Sequence, residues 1–256
     1  MLVSYCTSSM RTLRNNWRLM IAAFAAPFLV ACTAAPTAPL SSLNYRIDNT
    51  VRQRNLLVLV RGFGSDNSIF DEEGIIQEIR DRKLPFDVIA PDIHFGYYQA
   101  QTVEDRLKED IIDPARRQGY AKIWLAGFSM GGLGCLVYQR SHPGDIDGIL
   151  LTSPFLGWPS IHREIRNAGG VASWSAISDD PKDWERMLWS WIKNHDPDTT
   201  PPIWLGYGES DVITGDGPQL LAAILPTDRV FTVSGNHTIN TFKTIFLHHL
   251  DTLAHQ

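Results

Sequence analysis

Gly127-Phe128-Ser129-Met130-Gly131 follows the apolar run Ile123-Trp124-Leu125-Ala126 and precedes Gly132-Leu133-Gly134-Cys135-Leu136-Val137-Tyr138. The order reads as strand, sharp turn, helix. A serine inside so tight a turn needs neighbours without side chains, because a Cβ there would meet the adjacent strand or helix. The turn lifts the Ser129 hydroxyl above the sheet edge. It also sets the hydroxyl at a helix N-terminus, where backbone N–H groups and the helix dipole favour negative charge. Gly132 and Gly134 are expected to let the following helix approach the sheet closely.

Outward from this stretch, strand and helix alternate. Asn55–Val60 is a short continuous apolar run, as in a parallel strand covered on both faces. Residues 69–83 suit a helix with Ile75, Ile76 and Ile79 on one face, and Asp87–Ala90 a second strand. Residues 102–118 suit another helix, kinked or restarted at Pro114. After the central turn come strands at Ile149–Leu151, Ile203–Tyr207 and Arg229–Val233, then a last helix with Phe242, Ile245, Phe246, His249 and Leu250 at helical spacing. The pattern predicts an α/β fold, a mostly parallel sheet with helices on both faces.

The spacing G-x-S-x-G between a strand and a helix is the nucleophile elbow. With it, the chain from Asn55 onward resembles the α/β-hydrolase family. The family's two opening antiparallel strands are hard to find; residues 43–50 can supply one, so a trimmed version is expected. In this fold the catalytic order is serine, acid, histidine. The matching positions are Ser129, Asp211 and His237. A serine hydroxyl needs a base to take its proton, and the base needs an acid to hold its tautomer. Asp211 lies in Gly208-Glu209-Ser210-Asp211, after a strand, with Glu209 and Asp216 as alternatives. His237 follows the last strand in Ser234-Gly235-Asn236-His237-Thr238. The resemblance implies an oxyanion hole from the backbone N–H groups of Met130 and Phe63. The family commonly has His-Gly before the latter donor. This chain has Arg61-Gly62, and Arg61 either pairs with a carboxylate such as Asp66 or Asp92 or binds an anionic substrate group.

About fifty residues separate the strand ending at Leu151 from the one starting at Ile203, and they hold Trp158, Trp174, Trp184, Trp189 and Trp191. This insertion, about residues 154–201, reads as a small Trp-rich cap. In a helix over residues 183–193, Trp184, Leu188 and Trp191 or Ile192 share a face and Trp189 points elsewhere. These aromatic residues either glue the cap to the body or wall an apolar acyl or aryl pocket.

The N-terminal part is an address. Arg11, Arg14 and Arg18 precede an apolar stretch from Leu19 to Ala31, too short for a comfortable membrane span. Leu29-Val30-Ala31-Cys32 resembles the lipobox of bacterial lipoproteins. That resemblance implies a signal peptide over residues 1–31, lipidation of Cys32, and a lipid anchor in the bacterial cell envelope, in the outer membrane facing the periplasm. Residues 32–42, rich in Ala, Thr, Pro and Ser, then form a flexible tether and residues 43–256 the domain. Losing three arginines and no acid takes the net charge from −5 to −8. Cys135 is then the one remaining unmodified thiol, read as a buried apolar residue.

The acidic charge and the lack of a basic patch exclude nucleic acid as a partner. No metal-ligand spacing and no phosphate-binding glycine motif occur, so no cofactor is expected. The reading is a serine hydrolase of a small-molecule carboxylic ester. A thioesterase, acyltransferase or peptidase using the same three residues, or a non-catalytic lipoprotein of this fold, remains open at this stage.

Overall fold

The computed structural model describes residues 34–48, 50–177, 180, 182–196 and 201–254. Cys32 and the expected signal peptide, residues 1–31, lie outside the described residues. The strands are β1 (Ser42–Tyr45), β2 (Asn55–Val60), β3 (Phe86–Pro91), β4 (Lys122–Phe128), β5 (Gly148–Thr152), β6 (Ile203–Gly208) and β7 (Val230–Val233). They form one sheet in the order β1-β3-β2-β4-β5-β6-β7. β1 pairs antiparallel to β3, Ser42 opposite Pro91, and every other pair is parallel. A single antiparallel edge strand thus stands where the trimmed fold was expected to keep one.

The helices are α1 (Ile69–Glu72), α2 (Ile75–Asp81), α3 (Phe95–Gln99), α4 (Val103–Leu107), α5 (Asp113–Arg117), α6 (Met130–Ser141), α7 (Pro159–Asn167), α8 (Trp184–Lys193), α9 (Gly217–Ala222) and α10 (Ile239–Leu253). Alternation along the central strands splits the core between the two sheet faces. Leu56, Val58, Val60, Leu125 and Leu151 pack with Leu107, Ile111, Leu136 and Trp189 on one side. Leu57, Leu59, Ala126 and Leu150 pack with Ile76, Ile79, Phe246 and Leu250 on the other. Five consecutive residues of β2 are fully buried, so the run is apolar rather than alternating.

Two local expectations are corrected. The helix expected over 69–83 is two helices, because Gly74 adopts a left-handed backbone (φ +71°) that ends one and starts the next. The expected restart at Pro114 is seen, since a new α-helical segment begins at Asp113 with Pro114 in its first turn. α4 runs into a π-helical turn, Lys108–Ile112, directly before α5. Proline cannot donate to the carbonyl four residues back, and the widened turn absorbs the mismatch. Gly134 does not open the helix to the sheet; Gly131 does, with Gly132, whose Cα would meet a Cβ on Gly127 of β4 at 2.5 Å and whose own Cβ would lie 3.4 Å from Leu151 Cδ2 of β5. A Cβ on Gly131 would lie 2.0 Å from the Val60 carbonyl oxygen in β2. Gly132 faces Pro154, and Gly134 faces the Tyr98 hydroxyl.

The connection from β5 to β6 carries α7 and α8. Arg186 bonds Glu164 of α7 and the helix-capping Asp183, and Trp174 Nε1 donates to Glu164 at 2.9 Å. The face of α8 turned to the core is Leu188, Trp189 and Ile192. Trp189 therefore points inward, contrary to expectation, and its Nε1 donates to the Leu156 carbonyl at 2.8 Å. That single acceptor compensates the indole N–H for full burial, which is what lets the largest side chain turn inward.

Candidate active site

Ser129 sits between β4 and α6 with φ 52° and ψ −115°, a backbone conformation rare for a residue bearing a Cβ. Such a conformation costs about 1–3 kcal/mol and persists only where its surroundings enforce it. They do so here. Ser129 N donates to Thr152 O at 3.0 Å, and its carbonyl accepts from Gly132 N and Phe155 N, both at 2.9 Å. A Cβ on Gly127 would lie 2.5 Å from the Gly131 carbonyl oxygen, so only glycine allows the chain to fold back on itself. Tyr98 of α3 braces the turn from outside, its hydroxyl donating to Met130 O at 2.9 Å.

His237 follows β7. Its Nε2 lies 2.9 Å from Ser129 Oγ and its Nδ1 2.7 Å from Asp211 Oδ2. The Phe242 ring meets the imidazole edge to face at 4.7 Å between centroids. Asp211, after β6, has a side chain only 1 % exposed. Its other oxygen accepts from the N–H groups of Ile213 at 3.0 Å and Thr214 at 3.3 Å. Burial pushes its carboxyl up. The bond to His237 and the imidazolium charge, with the Thr214 N–H and the Ser153 hydroxyl, outweigh burial and hold it below the ordinary carboxylate range. A carboxylate oriented in this way fixes a proton on Nδ1 and leaves Nε2 free to accept one from Ser129.

The alternative acids are engaged elsewhere. Glu209 accepts from Thr232 and Ser234, and Asp216 pairs with Arg166 of α7 at 2.6 Å. His249 is fully buried on α10, with Nε2 donating to Leu151 O at 3.0 Å. Cys135 is a free, fully buried thiol whose pKa burial raises, which removes it as a nucleophile.

The loop after β2 lies against the serine. A Cβ on Gly62 would come within 3.3 Å of Ser129 Cβ and 3.2 Å of Phe128 O. The next residue, Phe63, is 40 % exposed, and its ring meets Phe95 edge to face. Met130 opens α6, so its N–H has no carbonyl one turn earlier in that helix. Arg61 pairs with Asp92, not Asp66, which accepts from Ser68 instead. Its guanidinium also donates to the carbonyls of Gly62 and Ser65. With Arg61 only 6 % exposed, the group fastens its own loop rather than facing a ligand.

A cavity of about 610 Å³ begins at Met130 and runs along α6 beneath α8, walled by Leu133, Val137, Phe155, Trp158 and Trp184. α3, absent from the sequence reading because five residues show no usable period, closes its other side with Phe95 and Tyr98. Two supporting residues were also missed, Tyr98 and Ser153. The signal for Ser153 was its place directly after β5, one strand before the acid.

No protein-family model matches the chain, and no curated protein matches it. Solved structures do. An S-formylglutathione hydrolase from Staphylococcus aureus is similar with TM-score 0.58 and 14% identity, over 86% of this chain and 99% of that one. A monoacylglycerol lipase from Paleococcus ferrophilus gives TM-score 0.57 and 20% identity, over 84% and 99%. A thermophilic esterase from Thermogutta terrifontis gives 0.51 and 16%, over 88% and 97%. At such identities the likeness speaks for architecture. Taken with the strand order and the elbow at Ser129, it shows that this chain has the α/β-hydrolase fold.

Proposed function

We propose that the protein is a serine hydrolase that cleaves carboxylic esters of apolar acyl or aryl groups through an acyl-enzyme. The observation that carries this reading is the hydrogen-bonded chain from Ser129 Oγ through His237 to Asp211, at 2.9 and 2.7 Å. Ser129 Oγ attacks the ester carbonyl while His237 Nε2 takes its proton. The Met130 and Phe63 N–H groups hold the resulting oxyanion. The C–O bond to the alcohol breaks, and His237 returns the proton to the leaving oxygen. Water, deprotonated by the same imidazole, then releases the acid and restores Ser129. Asp211 keeps the imidazole oriented and balances its charge throughout. The apolar cavity beginning at Met130 supports an acyl or aryl group as the part bound. The names of the monoacylglycerol lipase and of a ferulic acid esterase among the similar structures support ester cleavage.

The place of action we infer is the bacterial cell envelope, through lipid on Cys32. The support is the run of arginines, the apolar stretch and the residues Leu29-Val30-Ala31-Cys32.

The test is Ser129→Ala with a p-nitrophenyl ester and a fluorophosphonate probe. Turnover and labelling should both vanish while the circular dichroism spectrum stays that of the wild type. Undiminished turnover by the purified variant would refute the mechanism.

A further inference from the structure

The cavity is apolar where it begins and polar where it ends. Met130, Leu133, Val137 and Arg140 follow at spacings of three, four and three, one face of α6, and all four line it. Glu104 lines the same distal end. Arg140 Nε is shut off from solvent and has no hydrogen-bond partner among the described residues. Nη2 reaches only Ser141 Oγ, at 3.4 Å. Among the described residues no carboxylate lies within ion-pair distance of Arg140. Glu104 instead accepts from Ser141 Oγ, also at 3.4 Å. Nε is closed to any group entering from the cavity, so the guanidinium edge that lines it is the Nη side, and a planar carboxylate is the acceptor that fits that edge.

We propose that Arg140 is a specificity determinant that binds a carboxylate at the far end of the acyl group, so that the favoured substrates are half-esters of medium-chain dicarboxylic acids. This rests on the ester-hydrolase reading and names the substrate class for the same site. The helix rise sets the length. Ten residues separate Met130 from Arg140, about 15 Å along the axis. The arginine side chain leans back toward the helix N-terminus and leaves a gap of about 10 Å. An extended chain advances about 1.2 Å per bond, so roughly eight carbons span that gap. The hydrocarbon lies against Leu133, Val137 and the tryptophans, and the carboxylate meets the guanidinium. Glu104, of like charge, weakens that attraction and sharpens the demand for correct placement.

The experiment compares kcat/KM for the mono-p-nitrophenyl ester of suberic acid and for p-nitrophenyl octanoate at pH 8, where the free carboxyl is ionised. In Arg140→Gln the ratio of the two should fall about tenfold or more. Arg140→Lys, which keeps the charge but loses the fork, should fall between. Glu104→Gln should raise the ratio. An unchanged ratio in Arg140→Gln, or equal losses on both esters, overturns the proposal and leaves the hydrolase reading standing. Hydrolysis of neither ester by the wild type, with no fluorophosphonate labelling, overturns both.

Discussion

Arg61 Nε donates to Asp92 Oδ1 at 2.7 Å, joining the loop after β2 to the end of β3. The same guanidinium holds the carbonyls of Gly62 and Ser65, so one buried side chain determines the path of the backbone through Phe63. If the Phe63 N–H is an oxyanion donor, Arg61 is the residue that positions it. Arg61→Gln should lower kcat by about ten- to a hundredfold and change KM little, since removing one such donor costs about a hundredfold or more. Affinity for a boronic acid that mimics the tetrahedral state should fall with kcat. Asp92→Asn should do less, because the carbonyl contacts survive. A proportional change in KM with kcat intact would show that Arg61 serves substrate binding instead.

Asp211 can be separated from its two neighbouring acids. Asp211→Asn should lower kcat at least about a hundredfold, because the base remains but loses its tautomer control. Glu209→Gln should stay near wild type. Asp216→Asn should too, since it breaks a pair whose arginine is largely exposed and should cost under about 1 kcal/mol of stability. Asp211→Asn placed on Ser129→Ala should be no worse than Ser129→Ala alone. Wild-type activity in Asp211→Asn with collapse in Glu209→Gln would reassign the acid.

Burial pushes His249 down to about 4. In the unfolded chain an imidazole takes its proton near 6.5, so below that pH the unfolded state binds a proton that the folded state refuses. Stability is therefore full above about pH 6.5 and falls as the pH drops toward 4, by an amount on the order of 3 kcal/mol from this residue. Burial lowers His162 as well, in the same direction. His249→Gln keeps a donor for Leu151 O and removes the titration. Urea midpoints at pH 7 and pH 5 should converge in that variant relative to wild type. An equal pH dependence in both proteins would remove His249 as its source.

Gly131→Ala puts a methyl group 2.0 Å from a backbone oxygen of β2, where no rotamer change can relieve it. The elbow must shift or the domain must loosen. A loss of about 3 kcal/mol or more is expected, with fluorophosphonate labelling reduced out of proportion to the drop in Tm. Gly64→Ala is the control. Nothing lies within 4 Å of its added Cβ, so only the strain of φ +82° remains.

If Cys32 carries lipid, the wild-type protein should partition with membranes and incorporate labelled palmitate in a bacterial host, and Cys32→Ser should lose both. Palmitate that persists without Cys32 would refute the anchor.

What the sequence by itself determined is local. Apolar runs of strand length, helical spacing and the glycines around Ser129 specify strand, turn and helix through the backbone of a few adjacent residues, and chain order put a serine, acids and a histidine after successive strands. The tertiary structure decided what depends on residues far apart in the chain. It set Asp211, rather than Glu209 or Asp216, beside His237, 26 positions away, because the turn after β6 aims that carboxylate there. It turned Trp189 inward because the Leu156 carbonyl was there to take its N–H. It gave Arg61 to Asp92, and it set Tyr98 and Ser153 behind the site from elements whose spacing carries no sign of one another. Short-range sterics can be read along the chain. The partner of a buried polar group cannot, because packing brings many candidates near and geometry satisfies only one.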